Sequence, residues 1–540
     1  MATHKHVLFR SAAREKILRG ATALTDAVRV TLGPKSKCVL IGRKWGTPIV
    51  CNDGVTIAKE FDLDDPDENL GVRMIRQAAE RTGDAVGDGT STATILAQSI
   101  FAEGLRNVVA GASAIDLKRG LDRGLGVVTL AVRGLSRPVT THDEKAQVAT
   151  ISAHDDPVIG ALIADAIEKV GADGAISVEE AKGTETSLEL VEGMQFDRGW
   201  LSPYFVTDPQ RMECVLERPL ILLCDRKITV MRDLIPLLEE VAKSGRALLV
   251  VAEDVDGEAL ATLVVNRLRG TLQVAAVKAP GYGDRRRAML DDIAVLTAAQ
   301  VVAEETGISL EHVTTDHLGE AGRIVIERDK TTIVGGGGDR ALIEARRDQL
   351  KHEIELATSD YDKEKLRERL ARVSGGVASI RVGAPSEAEM KSKKEAIEDA
   401  ISAERAAIAE GIVPGAGLAL LRAIPALEAE AEKASGDERT GILVLRHALE
   451  APTRQIAENS GADPGVVVDR MRAARDGIGF DAAHNTYVDL VGAGIVDPTK
   501  VVRVALENAV SIASVLLLAE ATLTEVEEEP KQQAGAEPMM

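Results

Sequence analysis

A glycine-rich segment with one acidic and three hydroxyl residues precedes a stretch whose apolar spacing predicts a helix. Asp88 lies between Gly87 and Gly89, residues 90–92 are Thr-Ser-Thr, and helical spacing continues from residue 93. The first amides of a helix lack internal partners and lie at the positive end of its dipole, so they can bind phosphate, while a nearby carboxylate can hold Mg²⁺. The segment therefore predicts a phosphate and Mg²⁺ site, although an ordinary helix N-cap uses the same residue types. It is not a Walker loop, because no lysine follows the glycines.

Two other aspartates are candidates whose immediate sequence favours a structural role. Asp53 stands in Asn52-Asp-Gly54, which is typical of a tight hairpin turn. Asp399 belongs to the charged segment 391–400, where a solvent-exposed helix face is the simpler interpretation. The glycines of residues 415–417 predict a tight turn with close backbone approach. By themselves these residues do not define a reaction.

The composition excludes several classes of function. The 540-residue chain has a net charge of −20 and a pI of about 5.1, whereas a nucleic-acid-binding protein needs lysine and arginine to neutralise phosphates. Aromatic residues make up only 2% of the chain, too few for base-stacking platforms. The four cysteines form no Cys-x-x-Cys pair, and neither a signal peptide nor an uncharged apolar run of membrane-spanning length is evident. We therefore expect a soluble cytoplasmic protein with no nucleic-acid or membrane partner.

The spacing of apolar residues changes along the chain, and this change predicts a multidomain α + α/β protein. Helical spacing dominates both ends, including residues 14–32, 68–136 and most of 386–525. Between them, strand-like runs at 220–224, 247–252 and 273–278 alternate with helices at 230–243 and 256–268. The simplest architecture is a helical domain built from both termini with an α/β domain inserted. The polar segment 527–540 is expected to be a disordered tail.

Apolar side chains are concentrated in one part of the α/β region. Four of the chain's twelve aromatic residues lie within 196–205, and apolar residues line the helices predicted nearby. Burying a large side chain stabilises by about 1.5–3 kcal/mol, so leaving about six exposed would forgo roughly 10 kcal/mol. A buried core is therefore the default interpretation, and an exposed set would instead form a docking surface for apolar partners.

Motifs along nearly the whole chain occur in the order found in one family. They are Thr31-Leu-Gly-Pro34, Asp53-Gly-Val55, Gly87-Asp-Gly-Thr-Ser-Thr92, Glu192-Gly-Met-Gln-Phe-Asp-Arg198, Leu201-Ser-Pro-Tyr-Phe205, Ala279-Pro-Gly-Tyr-Gly-Asp-Arg285, Ala357-Thr-Ser-Asp-Tyr-Asp362, Gly375-Gly-Val377 and Asp497-Pro-Thr-Lys500. The chain resembles the group I chaperonins, the GroEL family, from about residue 8 to residue 525. So many motifs in order over such a length do not arise by chance.

The resemblance implies the chaperonin fold with three domains. A helical equatorial domain would comprise residues 1–136 and 411–526, and a small intermediate domain 137–191 and 377–410. The inserted α/β apical domain would comprise residues 192–376. The resemblance also implies heptameric rings, usually stacked in pairs around a central cavity, so the partners would include further copies of the chain.

The resemblance further implies an ATPase that uses Mg²⁺ and K⁺, and it assigns roles to individual residues. Asp88 would be the Mg²⁺ ligand, Asp53 would lie beside the γ-phosphate, and Asp399 would orient or activate the attacking water. The positions that match the phosphate-binding turns are Thr31, Leu32, Gly33, Pro34, Asn52, Asp88, Gly89, Thr90, Ser91 and Thr92. Those that match the adenosine site are Gly415, Ala416, Asp481, Ala482, Ala483 and Asp497.

Unfolded polypeptides and a GroES-type co-chaperonin are the partners implied for the α/β domain. The positions that match their binding surface are Trp200, Tyr204, Phe205, Ile235, Leu238, Leu260, Val264 and Val265. The implied function is an ATP-dependent chaperone that binds unfolded chains, encloses them under the co-chaperonin and times release by hydrolysis. Here the resemblance opposes the core interpretation for part of the apolar set.

Several positions depart from the family pattern. Asn52 replaces a common lysine, Ala416 replaces the middle glycine of a Gly-Gly-Gly turn, Asp481 replaces a common asparagine, and Trp200 replaces a tyrosine. The tail also lacks Gly-Gly-Met repeats. These changes keep an alternative open, in which the chain is a holdase or structural assembly with weak coupling to ATP.

Overall fold

The computed structural model describes residues 4–42, 48–153, 156–171, 175–181, 183–209, 211–303, 306–357, 359–374, 376–475 and 477–526. The predicted tail at 527–540 lies outside the described residues. The α-helices are α1 Arg10–Val28, α2 Gly54–Glu60, α3 Pro66–Val86, α4 Thr90–Val109, α5 Ala114–Leu135, α6 His142–Ser152, α7 Pro157–Val170, α8 Ile235–Ser244, α9 Gly257–Leu268, α10 Asp284–Thr297, α11 Arg340–Leu356, α12 Asp360–Ser374, α13 Glu387–Glu410, α14 Leu418–Glu432, α15 Gly436–Ala448, α16 Ala451–Asn459, α17 Pro464–Ala473 and α18 Thr499–Leu518.

The strands are short in the terminal parts of the chain and longer in its middle. They are β1 His4–Phe9, β2 Val39–Ile41, β3 Ile49–Cys51, β4 Ala175–Glu180, β5 Ser187–Val191, β6 Gly193–Phe196, β7 Cys214–Glu217, β8 Leu220–Ile228, β9 Leu248–Val255, β10 Val274–Lys278, β11 Val301–Val302, β12 Gly319–Ile326, β13 Thr331–Gly336, β14 Val377–Val382, β15 Ile412–Pro414, β16 Ile478–Asp481, β17 Thr486–Asp489, β18 Val496–Pro498 and β19 Ala521–Val526.

The chain divides into two compact units. Unit 1 comprises residues 1–164 and 386–540, and unit 2 comprises residues 165–385. The predicted architecture, a mostly helical unit assembled from both ends of the chain with a continuous α/β unit inserted, is confirmed at this level. The finer division into three domains stays a prediction.

Unit 1 is built from amphipathic helices around one apolar core. In α1 the buried positions Ala13, Ile17, Leu24 and Val28 recur at helical spacing and form a single stripe. Helices α1 and α3, α4 and α18, and α5 with α14 and α15 pack as neighbours. Small strand pairs complete the unit: β2 with β3, β15 with β18, β16 with β17, and β1 with β19. In the last pair His4 lies opposite Val526 and Phe9 opposite Ala521, so the two ends of the described chain are joined.

Helix α18 is long and apolar enough to cross a membrane by length and composition alone. However, 61% of its most apolar window is buried inside unit 1, as expected for the core helix of a globular unit. It also carries Arg503, whose guanidinium is paired with Glu410 on α13 and with Glu507 one turn further along α18. We therefore interpret α18 as a core helix.

Unit 2 contains a mixed sheet in the order β10-β9-β8-β12-β13-β6, with β11 added beside β8 and β7 beside β12. Strands β8, β9 and β10 are parallel and α8 and α9 connect them, which confirms the βαβ pattern predicted for 220–278. The first four residues of each strand are apolar and buried, as expected for parallel strands covered on both faces. A second sheet has the order β4-β14-β5.

Candidate functional site

Asp88 lies in the two-glycine connection between α3 and α4. Gly87 ends α3 with a φ of +70°, and Gly89 precedes α4 with a φ of +78°. Residues that carry a side chain rarely adopt this left-handed backbone conformation, so the two glycines allow the chain to turn here. The Asp88 carboxylate accepts hydrogen bonds from the Gly89 amide and from Ser152 Oγ, the latter at 2.9 Å. The connection therefore presents a carboxylate and the free amides of the first turn of α4 at one place.

Two other segments meet the first turn of α4. Thr31 Oγ1 lies 3.1 Å from Ser91 Oγ. The backbone at Gly54 approaches so closely that an added Cβ would lie 2.5 Å from Ser91 Oγ and 3.1 Å from Thr90 Oγ1. The structure thus brings the predicted turn at 31–34, the Asp53 segment and the Asp88 connection together in unit 1.

The hairpin-turn interpretation of Asp53 is wrong. Asp53 is the N-cap of α2, and its carboxylate accepts hydrogen bonds from the amides of Val55 at 3.2 Å and Thr56 at 2.8 Å. The same aspartate chemistry that favours turns also favours helix N-caps, which is why the short sequence did not distinguish them. The cap fixes the Asp53 side chain at the end of β3, directly before Gly54.

Asp399 is not on a solvated face of α13, contrary to the interpretation from its charged neighbours. It keeps some exposed surface, yet it is densely surrounded by protein, and the resulting loss of hydration raises its pKa well above the ordinary value. The charges of Asp53 and then Asp88 raise that pKa further. In the same helix, Ser402 packs so closely on Gly87 that a Cβ there would lie 2.3 Å from Ser402 Cβ. Helix α13 therefore places a third carboxylate in the site.

Asp497 is the fourth carboxylate in this region. Burial and the charge of Asp88 raise its pKa to about 7. It lies in β18 opposite Val413 of β15, and the Gly415 amide donates to Ile495 O at 3.0 Å. Asp497 is therefore held beside the predicted turn at 415–417 and within the electrostatic range of Asp88.

The turn at 415–417 contains a strained residue. Ala416 has a φ of +53°, in the left-handed region that its Cβ disfavours. Its carbonyl accepts a hydrogen bond from Thr453 Oγ1 at 3.0 Å. The strain occurs where the family pattern has glycine, so the departure noted in the sequence has a direct conformational effect.

The remaining positions predicted for an adenosine site form a separate turn at the end of β16. The Asp481 carboxylate accepts from the amides of Ala483 at 2.9 Å and His484 at 3.2 Å, and it lies 2.8 Å from His484 Nδ1. Ala482 is part of the unit 1 core. The Asp481 carboxylate, which replaces the family's asparagine, thus accepts hydrogen bonds within its own turn.

Helix α16 contacts both the 415–417 turn and the 31–34 turn, and sequence reasoning did not identify it. On α16, Thr453 contacts the 415–417 turn, Ile456 packs on Gly33, and Asn459 Nδ2 donates to Arg29 O at 2.9 Å and Leu32 O at 2.8 Å. The three residues recur at i, i+3 and i+6, a spacing that any amphipathic helix shows. No sequence signal could have distinguished them, and the same holds for Ser152 and Ser402.

In unit 2 the predicted apolar surface divides into exposed and buried members. Tyr204, Ile235 and Val265 are 61%, 46% and 43% exposed, whereas Phe205 is fully buried and Leu238 is 9% exposed. Trp200, Leu260 and Val264 are partly buried and pack on the unit 2 core. The set therefore divides between the core and the surface of unit 2, and the binding of partners by its exposed members stays a prediction.

Comparison with known proteins agrees with this architecture. A family model described as the TCP-1/cpn60 chaperonin family matches residues 24–526. The chain is 67% identical over 535 residues to "Chaperonin GroEL 5" of Bradyrhizobium diazoefficiens, an alignment that covers 99% of each protein. The chain therefore belongs to the TCP-1/cpn60 chaperonin family and is a group I chaperonin, an ATP-dependent molecular chaperone. The resemblance found in the sequence is confirmed.

Proposed function

We propose that unit 1 binds and hydrolyses ATP with Mg²⁺ and K⁺, and that hydrolysis times a cycle in which unit 2 binds and releases unfolded polypeptides. The observation that carries this proposal is the convergence of Asp53, Asp88 and Asp399 on a glycine- and hydroxyl-lined helix start. The charges of Asp53 and Asp88 raise the pKa of Asp399, so the three carboxylates are costly to hold together, and the cations that accompany a bound polyphosphate would relieve that cost.

The phosphate groups would be held by backbone and hydroxyl donors. In this proposal the donors are the amides at the start of α4 and the hydroxyls of Thr90, Ser91, Thr92 and Thr31, the last of which lies 3.1 Å from Ser91 Oγ. Leu32, Gly33, Pro34 and Asn52 complete the surrounding turns in this proposal. In this proposal the site supplies hydrogen-bond donors to the phosphates and the protein supplies no nucleophile. That arrangement suits phosphoryl transfer to water, because the reaction depends mainly on positioning and charge neutralisation.

The carboxylates would divide the remaining work. Asp88 offers hard oxygen ligands that suit Mg²⁺, which when bound would neutralise phosphate charge and screen the neighbouring aspartates. Asp53, fixed by its helix cap, would help to position the attacking water. Asp399, once screened, would ionise and accept a hydrogen bond from that water.

The adenosine part would lie between the 415–417 turn and the β16 turn. Gly415 and Ala416 would approach the nucleotide through backbone, while Asp497 would contact the ribose. Asp481, Ala482 and Ala483 would line the opposite side. Because Ala416 adds a methyl group where the family has glycine, we expect weaker nucleotide binding than in a chain with glycine there.

Unfolded clients would bind the exposed apolar side chains of unit 2. Tyr204, Ile235 and Val265 offer this surface, with Trp200, Leu260 and Val264 at its edge. Phe205 and Leu238 would support it from below. A flexible loop of a GroES-type co-chaperonin would compete for the same surface, since both partners are extended apolar segments.

The proposed assembly is a heptameric ring, stacked in pairs, acting in the bacterial cytoplasm. The finer domain division proposed is 1–136 with 411–526, 137–191 with 377–410, and 192–376. A net charge of −20 per chain would give an enclosed chamber an acidic character that disfavours sticking of released clients.

ATP hydrolysis by the protein and its Asp399→Ala variant tests the proposal. We expect the variant to bind ATP but to show roughly a 10²-fold lower kcat, the range for loss of an acid–base or water-orienting group. Glu389→Gln is the matched control, because Glu389 lies on the same helix in an exposed pair with Lys393. The variant and control should assemble equally.

Absence of hydrolysis in the unmodified protein, with Mg²⁺ and K⁺ present, would refute the proposal. The alternative of a holdase with weak ATP coupling would then be favoured. Refolding of a denatured client separates the two, because only the proposed cycle requires both ATP and co-chaperonin. Equal hydrolysis by the Asp399→Ala variant and the control would refute the role of Asp399.

A further inference from the structure

The Asp88 carboxylate has different hydrogen-bond donors on its two oxygens. Oδ1 accepts from the Gly89 amide in the same connection, and Oδ2 accepts from Ser152 Oγ at 2.9 Å. The first donor is adjacent in sequence and comes with the turn itself. The second is 64 residues away, so it exists only because the fold brings another helix to this carboxylate.

Ser152 is the last residue of α6, and α6 packs on the helix that carries Asp399. Val148 of α6 shares an apolar cluster with Ala403 and Ala407 of α13. Helix α13 in turn reaches the Asp88 connection through Ser402 and Gly87. Both of the packed helices therefore reach the Asp88 connection, and Ser152 is where α6 contacts the Asp88 carboxylate.

A hydroxyl is a suitable partner for a carboxylate that must bind a cation. A lysine or arginine in its place would neutralise the carboxylate and compete with the cation, whereas a neutral donor fixes its orientation and leaves its charge. Each carboxylate oxygen has two lone pairs, so Oδ2 can accept from Ser152 and still bind a metal ion. Partners of this kind around metal ligands typically change metal affinity by 10–100-fold when removed.

We propose that Ser152 is a positioning residue for the metal-binding carboxylate of Asp88, and that it makes cation binding depend on the docking of α6. This inference rests on the proposed role of Asp88 as the Mg²⁺ ligand. Ser152 itself contacts neither nucleotide nor metal in this proposal. It acts by holding Asp88 Oδ2 in one orientation when α6 and α13 are packed together.

The test is the Mg²⁺ dependence of ADP binding, measured by calorimetry on the full-length protein. ADP avoids turnover, so binding is observed without catalysis. For Ser152→Ala we expect the Mg²⁺ concentration that gives half of the maximal ADP affinity to rise about tenfold. ADP affinity in excess EDTA should stay the same, because the donor acts only through the metal ligand. Ser152→Thr keeps the hydroxyl and should restore the Mg²⁺ dependence to within about threefold.

Thr150→Val is the matched control on the same helix. The Thr150 hydroxyl donates to Ala146 O at 2.7 Å within α6, so its loss perturbs the helix without touching Asp88. The proposal is overturned if Ser152→Ala and Thr150→Val show the same Mg²⁺ dependence. It is also overturned if Ser152→Ala weakens ADP binding equally with Mg²⁺ and with EDTA, since that indicates a structural defect.

Asp88→Ala separates failure of this inference from failure of the proposed function. If Mg²⁺ strengthens ADP binding and Asp88→Ala abolishes that effect, the metal assignment holds whatever Ser152→Ala shows. If Asp88→Ala responds to Mg²⁺ as the unmodified protein does, the assignment of Asp88 fails first, and the role of Ser152 fails with it.

Discussion

Glu404 should make the stability of unit 1 fall as the pH rises. It lies on α13, its side chain is fully buried, and neither carboxyl oxygen has a hydrogen-bond partner among the described residues. Burial raises its pKa from the ordinary value of 4.5 to about 8, and the positive charge of Lys145 on α6 opposes this only in part. At neutral pH the group is therefore held mostly as the neutral acid.

The sign of the effect follows from proton binding. Between pH 4.5 and about 8 the folded chain binds a proton at Glu404 that the unfolded chain has released. The favourable contribution of protonated Glu404 to the free energy of unfolding is therefore complete below pH 4.5. It declines between pH 4.5 and about 8 and is lost above about pH 8. The pKa difference sets an upper limit of about 5 kcal/mol. Relaxation and water entry reduce such costs in real proteins, so we expect about 1–3 kcal/mol.

The perturbation is Glu404→Gln, which keeps the shape of the side chain and removes its charge. We expect the variant to gain about 1–3 kcal/mol over the unmodified protein at pH 9 and to differ by under about 1 kcal/mol at pH 5. Urea unfolding followed by far-UV circular dichroism measures this, at one protein concentration because assembly adds to apparent stability. Glu389→Gln, on the exposed face of the same helix, is the control and should shift little at either pH.

The reasoning would be refuted by a stability difference between Glu404→Gln and the unmodified protein that is the same at pH 5 and pH 9. That result would mean that Glu404 titrates normally in the folded chain. Comparing the two proteins at each pH cancels the contributions of the other carboxyl groups with raised pKa values, including Asp399 and Asp497, because both proteins contain them.

Two further substitutions follow from strain and from buried charge. Ala416→Gly should stabilise by about 0.5–1 kcal/mol and tighten ADP binding, because it removes a left-handed alanine beside the proposed nucleotide site. Ala298→Gly is the control, because it relieves the same strain at the end of α10 in unit 2. It should stabilise the protein similarly in thermal unfolding and leave the ADP affinity measured by calorimetry unchanged. Equal effects of the two substitutions on ADP affinity would contradict the assignment of Ala416 to the nucleotide site. Asp292→Asn should cost about 3 kcal/mol in urea unfolding, because this 2%-exposed carboxylate pairs with two arginines of α11 and α12. Asp291→Asn, its half-exposed neighbour, should cost less than about 1 kcal/mol, and equal costs would refute the argument.

The repeating elements of the fold could be predicted from the sequence because their patterns are local. The apolar stripe of α1 and the alternation of strands and helices at 220–278 depend on nearby residues, and the structure confirms both. The segment around Asp88 likewise predicts a glycine turn before a helix, and the structure has one. Each of these features is encoded by residues that are near one another in the sequence.

The site itself could be predicted only in part, since its members come from distant segments. Nothing near Asp399 in sequence indicates that Asp53 and Asp88 would lie close enough to raise its pKa. The sequence around Asp53 does not distinguish a turn from a helix cap, because both favour aspartate. The hydroxyl of Ser152 gives no local signal at all, because its partner is reached only after α6 packs in unit 1.

The pairing of β1 with β19 constrains the order in which the chain can fold during synthesis. Unit 2 is continuous and can close as soon as residue 385 has left the ribosome, whereas unit 1 needs residues 521–526 to pair with 4–9. At 5–20 residues per second, the helices of residues 10–164 wait roughly 20–70 s for their last partners. Their apolar stripes stay exposed to other chains for that time. We therefore expect a new chain of this chaperone to pass through a state with exposed apolar surface before unit 1 can close.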